Sequence, residues 1–262
     1  VGSYQRIEVV REGATQLITL AYPERRNAIG PRMVGELLSA LDDAWATEEV
    51  RVIVLTGAGK AFCSGGDFAE LTSAAPPPAP PPAAGERDFA DLLLALWQSE
   101  KPIVARVNGD ALGGGLGLVA ASTFAVASYG ARFGTPEIHV GLFPMIIMAA
   151  LARHVPRRRL LEMMLLGEKL DAAEAARLGL VNRVVPPDAL DREVKELVDA
   201  LASRSPTAVA LGLRALAAQD DLDLEQALPM LRDRLAEILA TDDAREGLTA
   251  FLEGRPPRWS HG

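Results

Sequence analysis

Residues 5–10 and 16–21 are short runs of mixed apolar and polar side chains with strand character, separated by Glu12-Gly13, which predicts two strands joined as a hairpin. Met33, Val34, Leu37, Leu38, Leu41 and Trp45 then recur at helical spacing. Pro31, a residue favoured in the first helical turn, precedes them. The run RVIVLT, 51–56, is short and mainly apolar, and Gly57-Ala58-Gly59 follows it, as expected of a strand buried on both faces. Residues 103–107 and 124–127 predict two more strands, with NGDALGGGLGLVAAS, 108–122, between them. Strand, glycine-rich turn, helix and strand thus recur. That pattern places the fold in the α/β class.

From Pro156 onward the period becomes helical. Asp171-Ala172-Ala173-Glu174 has the spacing of a capping box, with Gly179 suited to the left-handed end of that helix. Ser205-Pro206 starts a later helix. Leu190, Val194, Leu197 and Leu201 make one apolar stripe, and Leu224, Leu228, Leu231, Leu235 and Ile238 make another. The last stripe has few partners within its own chain and is expected to pack on a second copy. PPPAPPP, 76–82, can be neither helix nor central strand, and too little core precedes it for a separate domain. It reads as a loop insertion at about 74–85 in a core spanning 1–200, with 201–262 as a helical oligomerisation region.

Composition narrows the function. The chain has 262 residues, 49% hydrophobic and 24% charged, an ordinary globular balance. Its net charge of −8 and lack of a basic run argue against a nucleic-acid partner. One cysteine excludes an internal disulfide and suits a reducing, cytoplasmic setting. With His139, His154 and His261 scattered, no metal site is expected. The uncharged stretch 111–129 is rich in glycine and small polar residues, so no membrane span is expected.

Two glycine-rich turns follow predicted strands: Cys63-Ser64-Gly65-Gly66-Asp67 and Gly113-Gly114-Gly115. A helix starting after such a turn leaves its first N–H groups unpaired. Two of them aimed at one point would stabilise a developing oxyanion. Packing alone could also explain glycine here, and neither turn has the GxGxxG register of a dinucleotide site. A serine hydrolase is remote, because Ser64 lies in no nucleophile-elbow sequence.

Order supplies the specificity. RRNAI (25–29), AFCSGGD (61–67), NGDALGGG (108–115), FGTPEIHVGLFP (133–144) and DAAEAARLGLVNRVV (171–185) occur in sequence. Together they resemble the crotonase superfamily, the enoyl-CoA hydratases and isomerases. The resemblance implies a spiral of ββα units, a carboxy-terminal helical trimerisation region, a homotrimer or a hexamer, and an acyl-CoA thioester as substrate. Coenzyme A would enter with the substrate, and no separate cofactor is implied. By resemblance, the oxyanion donors fall on the backbone of Ser64 and Gly114. Arg26 and Ala28 fall where the CoA nucleotide is contacted, and Phe68 near its adenine. Ala61, Gly65, Asp67, Gly113, Pro136 and Gly141 fall on further substrate-contacting positions.

The departures are as informative. Hydratases of the superfamily carry two catalytic glutamates; here the second is Glu137, and the first falls on Gly117, which has no side chain. Paired carboxylates suit water addition, whereas one suffices to move a proton between two carbons. Double-bond isomerisation is therefore favoured over hydration by Glu137 alone; a non-catalytic CoA-binding protein is the alternative of another class. Ile138, Val140, Leu142 and Phe143 are expected to desolvate Glu137 and raise its pKa. His139 should point away from it in an extended segment. Asp110 is a second acid that could enter the pocket, while Asp67 would organise its own turn. After Pro144 the chain reads MIIMAALAR instead of a glycine-rich run, which should narrow or reshape the acyl pocket.

Overall fold

A computed structural model describes residues 4–68 and 87–260. Strands β1 (Ile7–Glu12) and β2 (Thr15–Leu20) form the predicted hairpin. β3 (Val52–Gly57), β5 (Ile103–Val107), β7 (Phe124–Ser128) and β10 (Arg183–Val185) extend it in parallel, giving a six-stranded sheet of order β1-β2-β3-β5-β7-β10. A second sheet holds β4 (Ala61–Cys63), β6 (Asp110–Leu112), β8 (Arg132–Gly134) and β9 (Lys169–Asp171). Each turn of the chain thus lays one strand in the large sheet and one in the small sheet before entering a helix. β3 and β4 lead to α2 (Phe89–Trp97), and β5 and β6 lead to α3 (Gly114–Ala121). This is the expected spiral of ββα units. The proline tract 76–82 lies outside the described residues.

Both faces of the large sheet are covered, which explains the apolar run of β3. Ile53 and Leu55 join the main core with Met33, Leu37, Leu38 and Leu41 of α1 (Pro31–Ala46). Val52, Val54, Val104 and Val126 face the other way, where Leu190, Val194, Leu197 and Val198 of the helix Leu190–Ala202 cover them. Helix α3 is buried from Gly115 to Ala121, apolar on every side as a central helix must be. Asp171 caps the helix Ala172–Arg177 by accepting from Glu174 N–H at 2.8 Å. The Glu174 side chain does not close a capping box; it takes Arg159 Nε at 2.8 Å instead. Among the described residues, no helix is long and apolar enough to cross a membrane.

The carboxy-terminal helices Pro206–Gln219, Leu224–Leu239 and Asp242–Glu253 are far less covered. Leu224, Leu228, Leu235, Phe251 and Leu252 are all exposed, Phe251 by 82%. Their burial within this chain is confined mainly to small residues, Ala215, Ala227 and Ala250.

One side chain ties the amino-terminal hairpin to the small sheet. A 3-10 turn, Pro23–Arg25, leads into Arg26 and Asn27, both left-handed at φ +52° and +57°. Asparagine tolerates that region better than most residues. Asn27 is fully buried; its Oδ1 accepts from Tyr22 N–H at 3.0 Å, and its Nδ2 donates to the carbonyls of Ala58 and Ala61, both at 2.9 Å. Asn27→Ala would leave those buried groups without partners, so the expected loss is roughly 2–4 kcal/mol in denaturant unfolding. A loss below about 1 kcal/mol would show that the turn holds itself without this side chain.

Candidate active site

The first glycine turn follows β4 and is stitched to the RRNAI segment. Ser64 N–H donates to Arg26 O at 3.0 Å, Ile29 N–H to Gly65 O at 2.8 Å, and Asp67 N–H to Ile29 O at 2.9 Å. The pattern is a parallel bridge between Ile29 and Gly66, which spends the Gly65 carbonyl and the Asp67 N–H; the Gly65 N–H donates to Cys63 Sγ at 3.5 Å, and the Gly66 N–H has no acceptor among the described residues. This corrects the assignment of Ser64 as an oxyanion donor. Its N–H is committed to structure, its hydroxyl donates to Arg25 O at 3.2 Å, and Gly66 is the residue of this turn with an available amide. Sequence spacing could not distinguish residues two apart in one turn. Only the pairing with RRNAI does so.

The second turn follows β6. Gly113 adopts φ +50° and caps α3, whose first intrahelical bond is Gly117 N–H to Gly113 O at 3.1 Å. Gly114, the first residue of the helix, therefore keeps an unspent N–H. Side chains are excluded here by close approach. A Cβ on Gly113 would stand 2.8 Å from Glu137 Oε1 and 3.4 Å from Gly65 Cα, so the two turns and the carboxylate meet. A Cβ on Gly115 would stand 2.6 Å from the Cβ of Cys63, whose thiol is fully buried and pushed up to about 12 by burial. Packing thus accounts for Gly113 and Gly115, while Gly114 offers the amide.

Glu137 lies in a 3-10 turn, Pro136–Val140, immediately after β8. Burial raises its pKa above the ordinary glutamate value, opposed by a bond from its own backbone N–H. Its Oε2 is buried and has no hydrogen-bond partner among the described residues. A structural carboxylate would normally be satisfied. The expected desolvating neighbours are only partly right, because Val140 and Leu142 are exposed, by 61% and 48%. The expected extended segment is also a helical turn, and this places His139 on the same side: Glu137 and His139 line one cavity of about 200 Å³. Ser64, Gly65, Gly66, Phe68, Gly113, Pro136 and Val140 complete it. His139 is exposed and packs its ring on Gly167, where a Cβ would stand 2.3 Å from Nε2.

The remaining named positions surround this cavity or stand apart from it. Arg26 is exposed and pairs with Asp110, Nη2 to Oδ2 at 2.9 Å, and Asp110 Oδ1 also accepts from Arg132 N–H at 3.3 Å. Asp110 therefore does not line the cavity with Glu137 but holds Arg26. Ala28, Ala61 and Asp67 are buried and do not line the cavity, and Gly141 ends the Glu137 turn at φ +77°. Gly117 sits one helical turn beyond Gly113, and a Cβ there would stand 2.5 Å from Ile147 Cγ2. Ile147 is buried, whereas Met145 and Ile146 before it are exposed. The MII segment thus turns only its third side chain inward.

Residues 11–262 match the sequence profile of the enoyl-CoA hydratase/isomerase family. The chain is 36% identical over 250 residues to a putative enoyl-CoA hydratase of Thermus thermophilus, covering 95% of this chain and 99% of that protein. It is 36% identical over 244 residues to the human mitochondrial enoyl-CoA hydratase domain-containing protein 3, covering 93% of this chain and 80% of that one. Among solved structures, an enoyl-CoA hydratase from Mycobacterium smegmatis superimposes with a TM-score of 0.89 at 36% identity, over 97% of this chain and 99% of the other. An enoyl-CoA hydratase/isomerase from Mycobacterium paratuberculosis does so with a TM-score of 0.91 at 30% identity, over 99% and 100%. With its two-sheet spiral, paired glycine turns and Glu137, the chain belongs to the enoyl-CoA hydratase/isomerase family.

Proposed function

We propose that this protein moves a double bond within an acyl-CoA thioester, with Glu137 as the sole acid and base. The observation that carries the reading is the Glu137 carboxylate: one oxygen buried and unpartnered, the other against Gly113, in a chain whose Gly117 offers no second carboxylate. The amides of Gly66 and Gly114 hold the thioester oxygen. In a 3-enoyl thioester, Glu137 removes a proton from C2, and the electron pair moves onto the thioester as a dienolate. The same carboxyl then returns the proton to C4, leaving the double bond between C2 and C3. Atoms balance without water. Each oxyanion donor can contribute about 10²–10³ in rate. Arg26, held by Asp110, and Phe68, half-exposed at the cavity, are suited to contact the CoA portion. Gly65, Gly113 and Pro136 line the cavity, and Ala28, Ala61, Asp67 and Gly141 support the turns around it.

A panel of 3-enoyl- and 2-enoyl-CoA thioesters analysed by mass tests the reaction class, since isomerisation conserves mass and hydration adds one water. Products dominated by water addition would overturn the isomerase reading. Glu137→Gln should lower kcat by about 10²–10⁴ while acyl-CoA binding stays near normal. The acid limb of the wild-type kcat profile should lie above the ordinary glutamate range, following the direction of the pKa shift. Retention of more than a tenth of the activity would defeat the assignment.

The same shift has a stability consequence. A carboxyl whose folded pKa is raised costs nothing where it is protonated in both states, below about pH 4. Above its folded value the buried charge opposes folding. Glu137→Gln should therefore raise Tm at neutral pH, with the gain disappearing below about pH 4. An equal gain at every pH would exclude the ionisation as its cause.

For the oxyanion donors, Gly66→Pro removes an amide hydrogen, and Ser64→Ala leaves every amide in place. The first should cost about 10²–10³ in kcat, and the second less than tenfold. A Gly66→Pro loss below about tenfold would contradict Gly66 as a donor.

The exposed Leu224, Leu228, Leu235, Phe251 and Leu252 support assembly through the carboxy-terminal helices, as a trimer or as a pair of trimers. Leu228→Glu with Leu235→Glu should reduce the mass in light scattering to that of one chain. An unchanged mass would place the interface elsewhere.

A further inference from the structure

We infer that Ile147 is a specificity-determining residue that keeps the active site a one-carboxylate site by closing position 117 to a second glutamate. The inference rests on the isomerase reading above and deepens it. Glycine inside a helix loses about 1 kcal/mol relative to alanine, so an interior Gly117 in the fully buried α3 calls for a reason. The reason is Ile147. A Cβ on Gly117 would stand 2.5 Å from Ile147 Cγ2, 3.2 Å from Ile147 Cβ and 3.5 Å from Leu93 Cδ1. The first two atoms belong to a β-branched side chain whose rotamer is stiff, and Ile147 is 3% exposed, so it has no room to swing away. Position 117 is thereby closed to every side chain, a glutamate included.

The chemical consequence follows from what remains. Gly117 is tied to Gly113 by the first bond of α3, and Gly113 is the residue against Glu137. Around position 117 the neighbouring atoms are hydrocarbon, from Ile147 and Leu93. A held water needs two to four polar partners. Glu137 shares its cavity with His139 and Ser64, but the atoms nearest a Cβ at 117 supply no second carboxylate and no polar partner. A water held between two carboxylates therefore lacks its second holder, while a proton carried by Glu137 itself needs no such support. Gly117 and Ile147 act as a pair: the bulk lost from the helix reappears on the segment after Pro144. Restoring a glutamate by Gly117→Glu alone cannot create a hydratase, because Ile147 stands in its place.

The test compares wild type, Gly117→Glu, Ile147→Gly and the paired Gly117→Glu/Ile147→Gly, each incubated with a 2-enoyl-CoA thioester in ¹⁸O-water. In hydration the water oxygen bonds to C3, one proton goes to C2, and the double bond is consumed, so ¹⁸O in the product reports it directly. The paired variant should gain labelled product at least tenfold over both wild type and Gly117→Glu. Gly117→Glu performing as well as the pair, or the pair showing no gain, would overturn the role of Ile147. A second measurement holds even if the paired variant folds poorly. Gly117→Ala should lower Tm in the Ile147 protein and not in the Ile147→Ala protein, whereas additive effects would contradict the contact. Conversion of a 3-enoyl thioester into its 2-enoyl isomer separates the two readings. A wild type that converts none contradicts proton transfer by Glu137. Conversion in wild type without gain of labelled hydration product in the paired variant contradicts Ile147 alone.

Discussion

Everything in this site depends on how closely two backbone turns can approach a carboxylate. Gly65 and Gly113 meet at van der Waals distance, and the space where Gly113 would carry a Cβ is taken by Glu137 Oε1. Any side chain at Gly113 would push the two turns and the acid apart, and its φ of +50° would strain any other residue as well. The cost is conformational entropy, and a rigid surround offsets it. The small sheet carries both turns, α3 is buried nearly all round, and Asn27 ties the preceding loop to the carbonyls before and within β4. Fold and chemistry are joined at this contact. The strands exist to bring two sets of amides to one place, and Glu137 arrives on the next turn of the spiral.

The same geometry supports the proposed role of Glu137 as a base. A carboxylate oxygen buried without a partner is a destabilising feature that stability alone would not retain. Desolvation pulls its pKa towards the range in which a carboxylate can accept and release a proton. On the opposite side, Gly117 and Ile147 replace a potential second acid with hydrocarbon. The site thus combines two amides without an acceptor among the described residues, one buried carboxylate oxygen without a partner there, and hydrocarbon around position 117.

Much of this was legible in the sequence, and the failures share a cause. The long elements, the α/β class, the buried β3 and the uncovered carboxy-terminal leucines follow from periodicity, and the ordered motifs pointed to the family and to Glu137. Three-residue strands such as β4 and β6 carry no period and were visible only as parts of motifs. The available amide expected at Ser64 is found at Gly66, because an amide's availability depends on a long-range partner, here Arg26 O and the bridge to Ile29. His139 was placed opposite Glu137 by assuming an extended segment, whereas a 3-10 turn brings both to one cavity. Asn27 and Ile147 stood out only as members of the RRNAI and MIIMAALAR segments, without roles of their own, since the first acts through three distant carbonyls and the second through a residue thirty positions earlier in the chain.

The most direct measurement is a crystal structure with a bound, non-reacting acyl-CoA thioester. The account predicts the thioester oxygen at about 3 Å from the amides of both Gly66 and Gly114, with a Glu137 oxygen facing C2 and no water between them. A thioester oxygen bound away from Gly66, or Glu137 turned to a protein partner while an ordered water faces the acyl group, would contradict it.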